Sequence, residues 1–315
     1  VSGGRPEGGG RALVVVGSIN RDLTLRVPHR PDGGETVLGT EATFAPGGKG
    51  ANQAMAAARA GARVRFVGSA GPDGTSFVRA LGDGGVDVSA VEITGSTTGL
   101  AVVLVTTDGQ NSIVVAPGAN ELLTAEQAER VVAAEEAAAE ERHGGAPVVL
   151  LQCEIPIGAV VDGVRTAAAR GARVVLNLAP YTPLPDDVLA VCDPLVVNES
   201  EAGQALGRRV ATGADAADAA LDLARRARSA VVTRGAGGAV VARAGDVTVI
   251  PGLTVPVVDT TGAGDAFVGT LAARLAADDD LVAAVRAGNA AGARAVGHRG
   301  AQPPNARTSP LPEEL

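Results

Sequence analysis

Short, almost wholly apolar runs of Val, Leu, Ile and Ala recur along the chain, and Ala-rich amphipathic stretches stand between them. Residues 12–16, 64–67, 148–152, 173–177, 194–197 and 230–233 have the length and continuous apolarity of strands buried on both faces. Residues 51–60, 75–82, 125–142, 158–170, 186–191, 199–206 and 214–227 read as helices, with two more near 264–277 and 281–295. Such alternation predicts an α/β fold with a mostly parallel central sheet and helices on both faces. Two β-rich segments, 22–44 and 95–116, break the alternation. Within the second, 100–106 and 112–116 flank Asp108-Gly109 and predict a hairpin; residues 238–249 predict another. The two segments together predict a small separate β-sheet, a lid over the main one. No linker or internal repeat divides the chain. Residues 12–304 are therefore expected to form a single domain, with a disordered tail at 1–11 and a C-terminal tail at 305–315. In an open α/β sheet, ligands bind beyond the carboxyl ends of the strands, so the residues after each strand are the candidates.

Composition narrows the chemistry. The net charge of -8 argues against a nucleic-acid partner, and Phe44, Phe66, Phe77, Phe267 and Tyr181 are too scattered to stack bases. No apolar run is long enough to span a membrane, and a cytoplasmic protein is expected. Cys153 and Cys192 are the only cysteines, and His29, His143 and His298 lie far apart, so no disulfide framework or zinc spacing is present. Of the 27 basic Lys and Arg residues, one is lysine: Lys49, inside Gly47-Gly48-Lys49-Gly50. Its being there is either chance or the need for a compact ammonium where a planar guanidinium would not fit.

The strand ends carry the candidates. Asn20 and Asp22 have the spacing that puts two side chains on one face of an extended segment, and an amide with a carboxylate suits the hydroxyls of a polyol. Pro46-Gly47-Gly48-Lys49-Gly50-Ala51-Asn52-Gln53 leads into a helix without Walker A or dinucleotide spacing. Its glycines let a ligand approach backbone N–H groups. Glu154 follows the strand at 148–152, and Asn198 stands at a strand end before Glu199 and Glu201. The last segment is Asp259-Thr260-Thr261-Gly262-Ala263-Gly264-Asp265, opening a nearly all-apolar helix. Bare N–H groups at that helix start form an anion hole. A carboxylate beside an anion hole suits a base that takes a hydroxyl proton while the hole steadies a phosphoryl group in transfer.

These motifs resemble those of the ribokinase, or PfkB, sugar-kinase family, and the resemblance runs from about residue 12 to 304. It implies a ribokinase-like α/β fold and ATP-dependent phosphorylation of D-ribose at its 5-hydroxyl. Asp265 would be the general base, with Gly262, Ala263 and Gly264 as the anion hole. Asn20, Arg21, Asp22, Gly48, Lys49, Gly50, Ala51, Asn52 and Glu154 would hold ribose, with Ala101 and Val103 of the lid against its apolar side. Asn198, Thr233, Arg234, Gly235, Ala236, Gly237, Gly238, Gly264 and Asn289 would line the ATP site. Asp259, Thr261, Ala295, His298, Gly300 and Pro304 would surround an activating potassium ion, although the family often has a hydroxyl residue where Pro304 stands. Magnesium with ATP and a homodimer formed through the lid are implied as well. Another pentose or nucleoside kinase, such as a deoxyribokinase, is the nearest rival. A non-catalytic sugar sensor would have no need of Asp265 beside the anion hole.

Overall fold

The computed structural model describes residues 10–108, 110–141, 145–298 and 300–301. Of the tails expected at 1–11 and 305–315, residues 1–9 and 305–315 lie outside the described residues, as do Gly109, His143 and Pro304; Arg11 is described, and its N–H donates to the Ala276 carbonyl at 2.8 Å. The central sheet has nine strands. In chain order they are β1 (Leu13–Val16), β4 (Val64–Ala70), β5 (Asp87–Ile93), β8 (Val148–Leu151), β9 (Arg173–Asn177), β10 (Cys192–Asn198), β11 (Ser229–Thr233), β12 (Ala239–Arg243) and β13 (Asp246–Ile250). Their spatial order is β13-β12-β11-β10-β9-β8-β1-β4-β5. All pairs are parallel except β11 with β12 and β12 with β13, which form the hairpin expected at 238–249. The edge strand β5 was not anticipated. Its sequence, Asp-Val-Ser-Ala-Val-Glu-Ile, mixes polar and apolar positions because an edge strand is only partly covered.

The strands alternate their side chains between two cores. Leu13 and Val15 of β1 pack with α1 (Lys49–Arg59), α8 (Ala263–Ala276) and α9 (Leu281–Ala295). Val14 and Val16 face the opposite layer, built from α3 (Ala125–Glu141), α4 (Ile157–Ala169) and α7 (Gly213–Ala224). Covered from both sides, β1 and β8 need apolar residues at every position, which is why they read as unbroken runs. The remaining helices are α2 (Thr75–Asp83), α5 (Asp186–Ala190) and α6 (Glu199–Leu206).

Four strands form the lid: β2 (Asn20–Val27), β3 (Glu41–Gly47), β6 (Gly99–Thr106) and β7 (Asn111–Ala116), in the order β3-β2-β6-β7. β2 leaves the body just after β1, so the lid hangs over the carboxyl ends of the central strands. Register puts Asp22 beside Ala101 and Thr24 beside Val103 on one face. On the other face Phe44, Leu23, Val102 and Val114 line up across all four strands.

Candidate active site

The body wall of the site begins at α8. Its N-cap, Gly262, holds φ +74°, the left-handed region that glycine enters without a Cβ clash. A Cβ there would also lie 2.5 Å from the Ala301 Cα. The helix therefore starts abruptly at Ala263, leaving its first-turn N–H groups without intrahelical acceptors; that of Ala263 makes a long contact of 3.3 Å to the Thr260 carbonyl. Asp265 lies in that first turn and is buried. Its Oδ2 accepts from Asn52 Nδ2 at 3.1 Å, and its Oδ1 accepts from Gln53 Nε2 at 3.0 Å. The two amides sit on α1. They reach Asp265 because Gly269, one turn further along α8, lets the helices touch: a Cβ there would lie 2.3 Å from the Gln53 carbonyl oxygen.

Lys49 opens α1 beside a cluster of carboxylates. Glu154, after β8, accepts at Oε2 from the Lys49 N–H at 2.9 Å and from Ser18 Oγ at 2.7 Å. The charge of Asp265 raises the ammonium's pKa above its usual value. Burial opposes that shift, and Glu154, Glu201 and Asp22 add to it. Burial pushes Asp22 up to about 7, helped by the charges of Glu154 and Asp265 and opposed by Lys49. Its Oδ1 is buried with no hydrogen-bond partner in the protein, an acceptor aimed at something else. Burial raises Glu201 as well, against the N–H of Asn198 and the charge of Lys49.

The lid supplies the facing wall. Asn20, Asp22, Ala101 and Val103 share one face of the small sheet, as expected. Asn120, in the turn after β7, accepts from the Ile19 N–H and donates to Asn20 Oδ1 at 2.8 Å. That contact leaves the Asn20 NH2 as the end free to face a ligand. Arg21 departs from the expectation. Alternation along β2 turns it to the other face, where it pairs with Asp73 at 2.7 Å and lies 4.9 Å from the centre of the Phe44 ring. It ties the lid to the body and stands apart from the sugar-facing set. Gly48, Gly50 and Ala51 are buried at the start of α1, where the Ala51 N–H donates to the Ser18 carbonyl.

The residues expected at the nucleotide sit along neighbouring strand ends. Asn198 pairs in register with Thr233. It caps α6 by accepting from the Glu201 N–H at 2.8 Å. Gly235, Ala236 and Gly237 form a single 3-10 turn, closed by the Arg234 N–H to the Gly238 carbonyl. Arg234 also pairs with Glu199 at 3.3 Å. Asn289 donates to the Pro251 carbonyl at 2.8 Å.

The cation loop is gathered too. Asp259 Oδ1 accepts from the Thr261 N–H and hydroxyl, and Oδ2 accepts from the Gly300 N–H at 2.8 Å. Burial raises its pKa, but these three donors outweigh burial and hold the carboxyl below its ordinary range. The N–H groups of Val258 and Asp259 donate to the Val296 carbonyl, which brings the loop against Ala295 and His298.

Sequence reasoning passed over Ser18, Gln53, Asn120, Gln152 and Asn177. One signal was available: each is a polar residue in or beside an apolar run.

Comparison with known proteins places the chain in a family. Residues 11–308 match the pattern of the pfkB family carbohydrate kinases. The chain is 37% identical over 296 residues to a ribokinase of Haemophilus influenzae, covering 93% of this chain and 94% of that one. It is 36% identical over 294 residues to a ribokinase of Bacillus subtilis, covering 93% and 95%. Among solved structures, an Arabidopsis thaliana ribokinase complexed with ribose and ATP superposes with a TM-score of 0.80 at 30% identity, covering 93% and 94% of the two chains.

Proposed function

This chain belongs to the pfkB family of carbohydrate kinases, and we propose that it transfers the terminal phosphoryl group of ATP to the 5-hydroxyl of D-ribose, giving D-ribose 5-phosphate and ADP. One observation carries the reading: the buried Asp265 carboxylate, held by Asn52 and Gln53, stands in the first turn of a helix that opens on Gly262. Asp265 accepts the proton of the 5-hydroxyl. The backbone N–H groups of residues 262–264 receive the charge that builds on the transferring phosphoryl oxygens. Asn20, Asp22, Gly48, Lys49, Asn52 and Glu154 bind the other hydroxyls of ribose, and Ala101 and Val103 cover it. Lid closure over the sugar keeps water from the phosphoryl group. ATP lies along Asn198, residues 233–238 and Asn289, and its use fits a cytoplasmic enzyme.

Magnesium carried on the phosphates of ATP would neutralise their charge, and Glu201 is the carboxylate that would face it. Among the described residues no three of His, Cys, Asp and Glu converge as a metal site. The Asp259 loop suits a monovalent ion. Its one carboxylate is already occupied by three donors, so carbonyl oxygens of the loop and of Ala295, His298 and Gly300 would serve as ligands. Potassium there would order the anion-hole loop.

The outer lid face supports a homodimer. Phe44 and Val114, at the two ends of the apolar row, are 56% and 70% exposed. A second lid related by a two-fold axis covers that row with its own.

The deciding experiment measures ADP release with ribose, 2-deoxyribose, fructose and nucleosides, with potassium and with tetramethylammonium. Ribose is expected to give the highest kcat/KM, since sites that hydrogen-bond a hydroxyl reject analogues lacking it by up to ~10⁴-fold. A higher value for fructose or a nucleoside would overturn the assignment. Equal rates in the two salts would overturn the potassium site.

A further inference from the structure

We propose that Gln53 is a positioning residue for the phosphoryl-transfer step, fixing the plane of the Asp265 carboxylate, and that Gln152 and Asn177 hold the Gln53 amide with its NH2 forward. The inference rests on the reading of Asp265 as general base.

Gln53 is fully buried in the Ala-rich helix α1, where an apolar side chain would pack without polar cost. All three of its hydrogen-bonding functions are used. One hydrogen of Nε2 goes to Asp265 Oδ1 at 3.0 Å and the other to Asn177 Oδ1 at 2.9 Å. Its Oε1 accepts from Gln152 Nε2 at 2.8 Å. Asn177 ends β9, and Gln152 directly follows β8. The amides therefore bridge the carboxyl ends of two adjacent strands and the helix above them.

The direction of this chain is set by its ends. Asn177 Nδ2 donates to the Val196 carbonyl at 3.2 Å, so the other end of its amide, an acceptor, faces Gln53. A carboxylate only accepts. With an acceptor on two sides, Gln53 must present its NH2 to both, and its oxygen turns to Gln152. Gln152 must then point its own NH2 at Gln53. Its Oε1 is left buried without a partner, so Gln152 satisfies Gln53 at the expense of its own acceptor. A flipped Gln53 would set oxygen against oxygen at both Asp265 and Asn177. With Asn52 on Oδ2, each Asp265 oxygen has a fixed donor, and the two donors together set the plane of the carboxylate.

Placing a general base is worth rate without being worth affinity. Misplacement by about 1 Å can cost ~10²-fold. The test compares Gln53→Met, Asp265→Asn and a control, Gln127→Met, in the full chain. Gln127 is a buried amide at the start of α3 that accepts from the Thr124 N–H. For each, kcat and KM, the ribose Kd by calorimetry and the thermal midpoint are measured. Gln53→Met is expected to lower kcat by roughly 30- to 100-fold while the ribose Kd stays within about threefold. Gln127→Met is expected to lower the thermal midpoint with kcat unchanged. A Gln53→Met kcat within about threefold of wild type, or a fall matched by an equal loss of ribose affinity, would overturn the proposal. Wild-type turnover in Asp265→Asn would instead overturn the base reading beneath it. If Gln53→Met does not fold, Gln152→Met decides, because it removes only the donor that orients Gln53. A kcat lowered about fivefold at unchanged ribose Kd supports the proposal, and an unchanged kcat overturns it.

Discussion

Strands β8 and β7 are close in composition and opposite in circumstance. Val148–Leu151 is buried at every residue. In Asn111–Ala116 the run Ile113, Val114, Val115 is 57%, 70% and 44% exposed. The difference lies in what covers them. α1 and α8 pack on one side of the central sheet and α3 and α4 on the other. Among the described residues no helix covers the outer face of the lid. The body is finished by its own sequence. Among those residues the lid leaves both of its faces uncovered by helices, and the proposed function gives a sugar to one face and a second lid to the other.

The contrast can be broken first at the chemistry. Asp265→Asn, on the body wall, is expected to cost ~10²–10⁴-fold in kcat, with ribose binding measured by calorimetry largely kept. In the proposed function binding draws on both walls, whereas proton transfer draws on the body alone.

Packing sharpens the contrast next. Leu150→Ala is expected to destabilise the fold by about 2–5 kcal/mol in denaturant unfolding. Val114→Ala on the lid is expected to change stability by about 0.5 kcal/mol or less in the monomer. Similar costs at the two positions would mean that the lid is covered in solution even without a partner. Charged substitutions at Leu25 and Leu104 together are expected to shift light scattering from dimer to monomer, with the body's unfolding midpoint little moved. A dimer that persists would place the interface elsewhere.

The smallest effect is in pH, where the walls meet at Asp22. Burial, with the charges of Glu154 and Asp265, pushes its carboxyl up to about 7 in the folded protein, from an ordinary aspartate value of about 3.9. Between those values the folded state holds a proton that the unfolded state has lost. This group's contribution to stability is therefore greatest at low pH and is lost as pH rises through about 7. Ribose binding should move the other way, because the ionised carboxylate is the better acceptor for sugar hydroxyls. The ribose KM is expected to fall by up to about tenfold from pH 6 to 8, and Asp22→Asn to flatten both trends. A KM in the wild type that does not vary over that range would remove Asp22 from the sugar site.

Much of this was legible in the residues. The runs at 12–16, 148–152 and 173–177 became β1, β8 and β9 within a residue or two, because a strand covered on both faces must be apolar throughout. The lid segments stood out because they broke the strand–helix rhythm. Asp265 and Gly262 announced themselves locally, since a helix start is built by consecutive residues. Arg21 was misassigned to the sugar, although the alternation of β2 that turns it away is itself a local rule. β5 was missed because an edge strand does not carry the apolar signature of a central one.

By itself the sequence determined most of the strands and helices, where the glycine-opened helix starts lie, and that the aspartate proposed as the base stands in the first turn of one of them. These are short-range properties, written in periodicity and in neighbouring residues. Only the tertiary structure decided which buried amides stand behind that base. Gln53 and Asp265 are 212 positions apart, and Gln53 and Gln152 are 99. Their meeting depends on how closely α1 and α8 approach at Gly269 and on which parallel strands lie side by side. A hydrogen bond depends on a distance that no local pattern encodes, so an amide bound for the core reads in the sequence like any other polar residue.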